Sequence, residues 1–404
     1  MKQILLSLVL LCGTFTIFAE PTKGHGEKAQ EPFLRMRSIL YYDVTWSTDS
    51  MKVGEEMSVQ GKFHVFDEWP DVLDNPDVVF VNVGVPGPVF LRKETYLNGK
   101  LMLNSTSVEI GGDYEFKVVL KARKPGTYHV HPMLNIQSAG PIVGPGKFVE
   151  VQATDTAFTN EVTTITGQTV DLENYGLANV VTWHVIWALV GIAWLIYWFR
   201  KPLFIPRMVE IQEGRGEELI TSRDRWVGAG FAAFTLILVA FGYFRAEMIY
   251  PTTVPLQAGR SQVAAMEIVP SSIEVSVEEA TYRIPGRTVN LTLRVTNNGS
   301  KPQQLGEFTT ANLRFIDASL VKPTEGYPVE LVEEGLQVEP SGSIQPGQTV
   351  TLKIKATNPA WETEQLALLI YDPDSRFGGL LMFYDDQGNR SIVTIGGGLI
   401  PTFI

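Results

Sequence analysis

The chain has 404 residues, 19% of them charged and 10% aromatic, and a formal net charge of −11. That length accommodates two domains of ordinary size together with membrane segments, and an acidic balance with no basic run excludes nucleic acid as a partner. The single cysteine, Cys12, falls in a segment expected to be removed, which excludes disulfides, thiolate zinc sites, iron–sulfur clusters and Cys-ligated copper from the mature chain.

Residues 1–24 carry the marks of a secretory signal peptide: Lys2, an apolar run from Ile4 to Ala19, then a short polar stretch. Cleavage after Ala19 suits the small-residue preference at the bond itself. Cleavage after Gly24 puts small residues at both key positions, Thr22 and Gly24, and makes His25 the first residue of the mature chain. From residue 25 to 176, strand-like runs follow one another at Met57–Phe66, Val78–Val83, Tyr114–Leu120 and Thr127–Met133, punctuated by Pro86-Gly87-Pro88 and Lys124-Pro125-Gly126. Short strands between turn signals predict an antiparallel sandwich or barrel.

Leu177–Phe199 and Trp226–Phe244 are apolar, and at about 1.5 Å per residue each reaches roughly 28 Å or more, the thickness of a bilayer's hydrocarbon. Aromatic residues flank both. The link over 200–225 carries Arg200, Lys201, Arg207, Arg215, Arg223 and Arg225, which the positive-inside rule places in the cytoplasm. Both flanking domains then face the periplasm of a bacterial membrane, as the signal peptide independently requires. Residues 245–404 repeat the strand style, with Val289–Val295 leading into Asn297-Asn298-Gly299 and Val350–Ala356 following Pro346-Gly347. This second domain has no His and no Cys, so packing and docking are expected of it rather than metal binding. The expected fold is mainly β, with two transmembrane helices joining two periplasmic cupredoxin-like or immunoglobulin-like antiparallel β-sandwich domains.

Five histidines carry the remaining chemistry: His25, His64, His129, His131 and His184. His129 and His131 lie two apart in a predicted strand, so both imidazoles project from one face and can converge on an ion. Alone, such a pair is a weak signal that fits two satisfied polar residues at a sheet rim better than it fits a metal. If His25 is the mature N-terminus, its α-amine and ring nitrogen can chelate a metal together, and a strand histidine completes a nitrogen-rich, T-shaped brace that suits copper. Glu27 is the carboxylate placed to support such a site, against the plainer role of a solvated surface residue. His64 reads as structural. His184 falls inside the first membrane helix, where ionisable residues are functional suspects, although one His facing a neighbouring helix accounts for it. Trp183, Trp187, Trp194 and Trp198 form one helical stripe expected to meet lipid or partner helices. No nucleophile elbow, Walker loop or H-E-x-x-H is present.

These motifs together resemble the B subunit of the copper membrane monooxygenases, the family of particulate methane monooxygenase and ammonia monooxygenase. The resemblance is carried by His25-Gly26-Glu27-Lys28, Phe33-Leu34-Arg35-Met36-Arg37, Gly61-Lys62-Phe63-His64, Pro86-Gly87-Pro88-Val89-Phe90 and His129-Val130-His131. It continues through Gly140-Pro141-Ile142-Val143-Gly144-Pro145-Gly146, Thr166-Gly167-Gln168-Thr169-Val170-Asp171, Pro255-Leu256-Gln257-Ala258-Gly259 and Tyr371-Asp372-Pro373-Asp374-Ser375-Arg376-Phe377, collinear over the mature chain. The resemblance implies copper held by His25, His129 and His131. It also implies assembly with subunits A and C as a trimer of three-subunit protomers, and use of O₂ to hydroxylate a small substrate. Where some relatives have a second metal-binding histidine this chain has Leu40, which cannot ligate copper, so no second site of that kind is expected. Methane or another short alkane is the first choice of substrate, and ammonia the alternative. A non-enzymatic periplasmic copper-binding or copper-delivery membrane protein is the competing class, and a scaffold whose histidines merely pack is a third.

Overall fold

The computed structural model describes residues 36–403 apart from 72, 138–139, 165, 252–258, 268–269, 285–287 and 359–374. The signal segment, His25 and Glu27 lie outside the described residues, as does 371–374 of the last motif. The two β-sandwiches cluster as one compact unit, and Thr159–Ala258 as another.

The first sandwich is built from β1 (Ile39–Trp46), β2 (Ser50–Lys52), β3 (Glu56–Val65), β4 (Val79–Gly84), β5 (Phe90–Leu97), β6 (Lys100–Leu101), β7 (Asp113–Ala122), β8 (Gly126–Ile136), β9 (Gly140–Val143) and β10 (Lys147–Gln152). One sheet runs β1-β3-β7-β5-β6 and the other β2-β10-β8-β4, with β9 on β8. Alternation in the sequence sets which face is buried. Met57, Val59, Phe63 and Val65 of β3 and Tyr114, Phe116, Val118 and Leu120 of β7 point inward and are almost fully buried. Phe63 stacks on Tyr114 with ring centroids 5.3 Å apart. Each such side chain contributes about 1.5–3 kcal/mol of burial. The register between β1 and β3 shifts between Tyr42 and Thr45, where Asp43 sits in the left-handed region. A side chain on Gly61 would stand 2.8 Å from Val44 Cα, so glycine there lets this irregularity lie flat.

β11 (Glu161–Thr163) and β12 (Thr169–Asp171) form a hairpin ahead of three helices, α1 (Leu177–Trp198), α2 (Ile205–Gln212) and α3 (Ser222–Ile249). Two helical stretches, Leu177–Trp198 and Gly216–Ile249, are long and apolar enough to cross a membrane. The second helix runs past the apolar window read from the sequence at both ends. Thr221 and Asp224 close a capping box that starts it, and the helical hydrogen bonding continues through the charged Arg245 and Glu247. Asp224 also accepts from Lys201 at 2.8 Å and from Tyr197 at 2.5 Å, and Arg245 donates to Asn179 at 3.0 Å, which ties α1 to α3 near both ends. The tryptophan stripe divides. Trp183 lies against Gly242, Trp194 stacks edge-on to Phe231 at 5.0 Å, and Trp198 meets Trp194. Much of the stripe therefore faces the chain's own second helix.

The second sandwich comprises β13 (Ile273–Ile284), β14 (Thr288–Asn297), β15 (Gln304–Thr310), β16 (Leu313–Ile316), β17 (Val332–Glu334), β18 (Gln337–Glu339), β19 (Thr349–Thr357), β20 (Arg376–Tyr384), β21 (Arg390–Gly398) and β22 (Ile400–Phe403). Its sheets run β18-β19-β14-β13-β22 and β17-β16-β15-β20-β21. β20 is buried on both faces. Phe377, Leu381 and Phe383 enter its own core, while Leu380 and Met382 pack on Leu40, Tyr42 and Phe66 of the first sandwich. Asp43 grips Arg390 across the same junction at 2.5 and 2.7 Å, and Arg376 pairs with Glu68. Burial opposes ionisation of Asp43, but the hydrogen bonds and charge of Arg390 outweigh it and hold the carboxyl below its usual range.

Candidate metal centre

β8 carries both strand histidines. Val130 and Leu134 point into the core, so His129 and His131 share the outward face of the sheet. Their ring centroids are 4.3 Å apart with planes at 74°. His129 stacks on Phe148, its register partner on β10, at 4.3 Å and 22°. His131 stands opposite Gly84 on β4, yet it is only 6% exposed.

The cover over His131 is the strap Gly144-Pro145-Gly146, which joins β9 to β10. A Cβ on Gly146 would stand 2.5 Å from His131 Cε1 and 3.0 Å from His129 Cε1, so the strap lies against both rings only because that residue is glycine. Gly144 is equally confined, with a Cβ falling 2.7 Å from Pro132 Cγ and 2.9 Å from Tyr41 Cδ2. His131 Nδ1 donates to the Gly144 carbonyl at 3.2 Å. A carbonyl only accepts, so the proton sits on Nδ1 and the lone pair on Nε2. A metal-binding histidine adopts this arrangement, one nitrogen fixed by a backbone carbonyl and the lone pair held on the other. The donor set fits a nitrogen-preferring metal such as copper.

The second sandwich braces this region. Asn312 Nδ2 donates to the Val143 carbonyl at 2.9 Å, immediately before the strap. Trp46 Nε1 donates to the Val130 carbonyl between the two histidines at 3.2 Å, and its ring meets Tyr327 at 6.2 Å. Among the described residues, no three or more His, Cys, Asp or Glu gather as metal ligands, so a metal held by this pair would take its further donors from outside them. Phe148 and Asn312 do not stand out in the sequence; the strap glycines lie in the Gly140–Gly146 motif, but nothing local marks them as the cover of the histidines.

The other histidines are placed differently. His64 is on the opposite sheet, 5% exposed, with Nδ1 3.3 Å from Asp113 and Nε2 3.7 Å from Asp67. Leu40 is its cross-strand partner on β1. Tyr42 also donates to Asp113, and burial first, then the Asp113 charge, pushes its hydroxyl above the usual tyrosine value. His184 Nδ1 lies 2.8 Å from the Val180 carbonyl within its own helix.

The chain thus combines two β-sandwiches, one carrying a strap-locked histidine pair, with two helices long and apolar enough to cross a membrane. A family model described as that of the monooxygenase B-subunit protein matches residues 26–403. The particulate methane monooxygenase alpha subunit of Methylococcus capsulatus (Bath) is 47% identical over 405 residues, covering 100% of this chain and 98% of that one. The chain belongs to the family of monooxygenase B subunits. Among solved structures, the cupredoxin domain of amoB from Nitrosocaldus yellowstonii is 20% identical, covering 31% of this chain and 97% of that one with a TM-score of 0.24. The adhesin InvE of Yersinia pseudotuberculosis is 6% identical, covering 88% and 60% with a TM-score of 0.17. Identity and structural agreement are too low in both cases to carry function to this chain.

Proposed function

We propose that this chain is the copper-holding subunit of a membrane monooxygenase that uses O₂ to hydroxylate methane or another short alkane. The observation that carries the reading is the His129–His131 pair, one ring locked by the strap with its lone pair on Nε2. His25, freed as the mature N-terminus by cleavage after Gly24, supplies the remaining nitrogens, and Glu27 supports it. Bound copper supplies one-electron chemistry, for relay or for O₂. The chain's own part is to hold both imidazoles in orientation and His131 in one tautomer, Phe148 and the strap fixing the rings and the second sandwich fixing the strap.

Membership of the B-subunit family supports assembly with other subunits, which we assign as subunits A and C in a trimer of three-subunit protomers. The two apolar helices and the basic link support two membrane crossings with both sandwiches in the periplasm. Nothing in the site favours ammonia over methane chemically; the 47% identity to a methane monooxygenase subunit favours methane. Membranes carrying the complex, incubated with ¹⁸O₂ and either methane or ammonia, test this directly. Labelled methanol is expected, at a rate that falls when His129 and His131 are both replaced by alanine. Labelled hydroxylamine alone would move the assignment to ammonia, and no label in either product would remove the enzymatic reading.

A further inference from the structure

The flank of α1 beside its α3-facing side carries an ionisable residue next to small ones. Trp183 and Trp194 occupy the side toward α3. Roughly a quarter-turn round lies His184, with Val180, Val181, Ala188 and Gly191 at the spacings of helical neighbours. Gly191 has nothing within 4 Å of where a Cβ would stand. His184 lies seven residues into the helix, about 10 Å from its start, too deep for so short a side chain to reach the interface.

The chemistry of His184 narrows what can cover this face. Its Nδ1 lies 2.8 Å from the Val180 carbonyl, which can only accept, so Nδ1 carries the proton and Nε2 is an acceptor. Among the described residues no hydrogen bond to Nε2 is present. Acyl chains offer no donor, and a polar group left unpaired in hydrocarbon is costly. A second copy of this chain, meeting the same face across a two-fold axis, would set one Nε2 acceptor against another. Ala188 and Gly191 beside the imidazole permit a close backbone approach.

We infer that the His184–Ala188–Gly191 face of α1 is the docking surface for a transmembrane helix of a partner subunit, which donates an O–H or N–H to His184 Nε2. This rests on the multi-subunit reading above and names the face and the contact by which it is met.

The test uses the full complex purified in mild detergent. A photoreactive benzoylphenylalanine at Ala188, activated in intact membranes, is expected to cross-link to a different subunit. In parallel, His184→Leu should weaken retention of that subunit about threefold to tenfold, His184→Gln should restore it because its amide oxygen replaces Nε2 as acceptor, and Gly191→Leu should lower it through bulk alone. Cross-links to lipid or to a second copy would overturn the proposal, as would equal retention in His184→Leu and wild type. If wild type itself brings no other subunit through purification, the multi-subunit reading fails first, which is a separate result from normal assembly with an indifferent His184.

Discussion

Replacing Gly146 with alanine perturbs the proposed metal site by a single methyl group. Gly146 does not occupy the left-handed backbone region, so alanine imposes steric demand alone. Its Cβ would stand 2.5 Å from His131 Cε1, whereas ordinary contact begins at 3.4 Å, so the ring must give way by about 0.9 Å or the strap must lift. His131 has nowhere to retreat, being 6% exposed and tied to Gly144. Overpacking of this kind costs about 1–3 kcal/mol, and metal–ligand distances tolerate shifts of only about 0.2 Å. The expected outcome is a melting temperature lower by roughly 2–10 °C and a copper affinity lower by about 10–100-fold. Thermal denaturation and competition against a chromophoric chelator read the two effects on the full chain. Gly140→Ala is the control, since nothing lies within 4 Å of its Cβ and its cost is backbone strain remote from the rings. Copper affinity unchanged in Gly146→Ala, with Gly140→Ala the more disruptive, would refute the strap's role.

Phe148→Ala removes the ring stacked on His129; Phe148 is 47% exposed, so the fold should survive while copper affinity falls about threefold to tenfold and the copper(II) EPR parameters shift, with Phe148→Tyr near wild type. Arg314→Met strands the fully buried Glu307 carboxylate, which Arg314 holds at 2.7 and 2.8 Å, and should cost about 3–5 kcal/mol in denaturant unfolding; adding Glu307→Gln should recover part of it. The Asp43 carboxyl is held below its usual value, so its contribution is present above about pH 4 and is lost as pH falls through the lowered value. The melting-temperature gap between wild type and Arg390→Met should therefore narrow at strongly acid pH. An equal gap at pH 3 and pH 7 would contradict the Asp43–Arg390 latch.

Where burial is one-sided, the sequence announces the strand. β3, β7, β14 and β19 alternate visibly, and the expected runs fall within a few residues of the observed ones. β20 shows no such signal, because burial on both faces erases the alternation and its paired glycines, Gly378 and Gly379, depart from strand composition. They are glycines because the backbone there lies against Met36, Phe66 and Phe308. α2 escapes a sequence reading because eight residues around Pro206 in a charged link show too little periodicity to declare a helix. At the site, the same-face placement of His129 and His131 follows from strand geometry alone. The strap, the Phe148 stack and the Asn312 brace depend on residues brought together by the sheets and by the second sandwich, and no local pattern encodes such approaches.

The central claim, copper held by a mature N-terminal His25 with His129 and His131, is tested most directly by N-terminal sequencing of the mature protein together with its copper content. A chain that begins at His25, carries about one or two coppers and loses them in His129→Ala is the expected result. A chain that begins at Glu20 would lock the His25 amine in a peptide bond, and copper retained after both strand histidines are replaced would contradict the site outright.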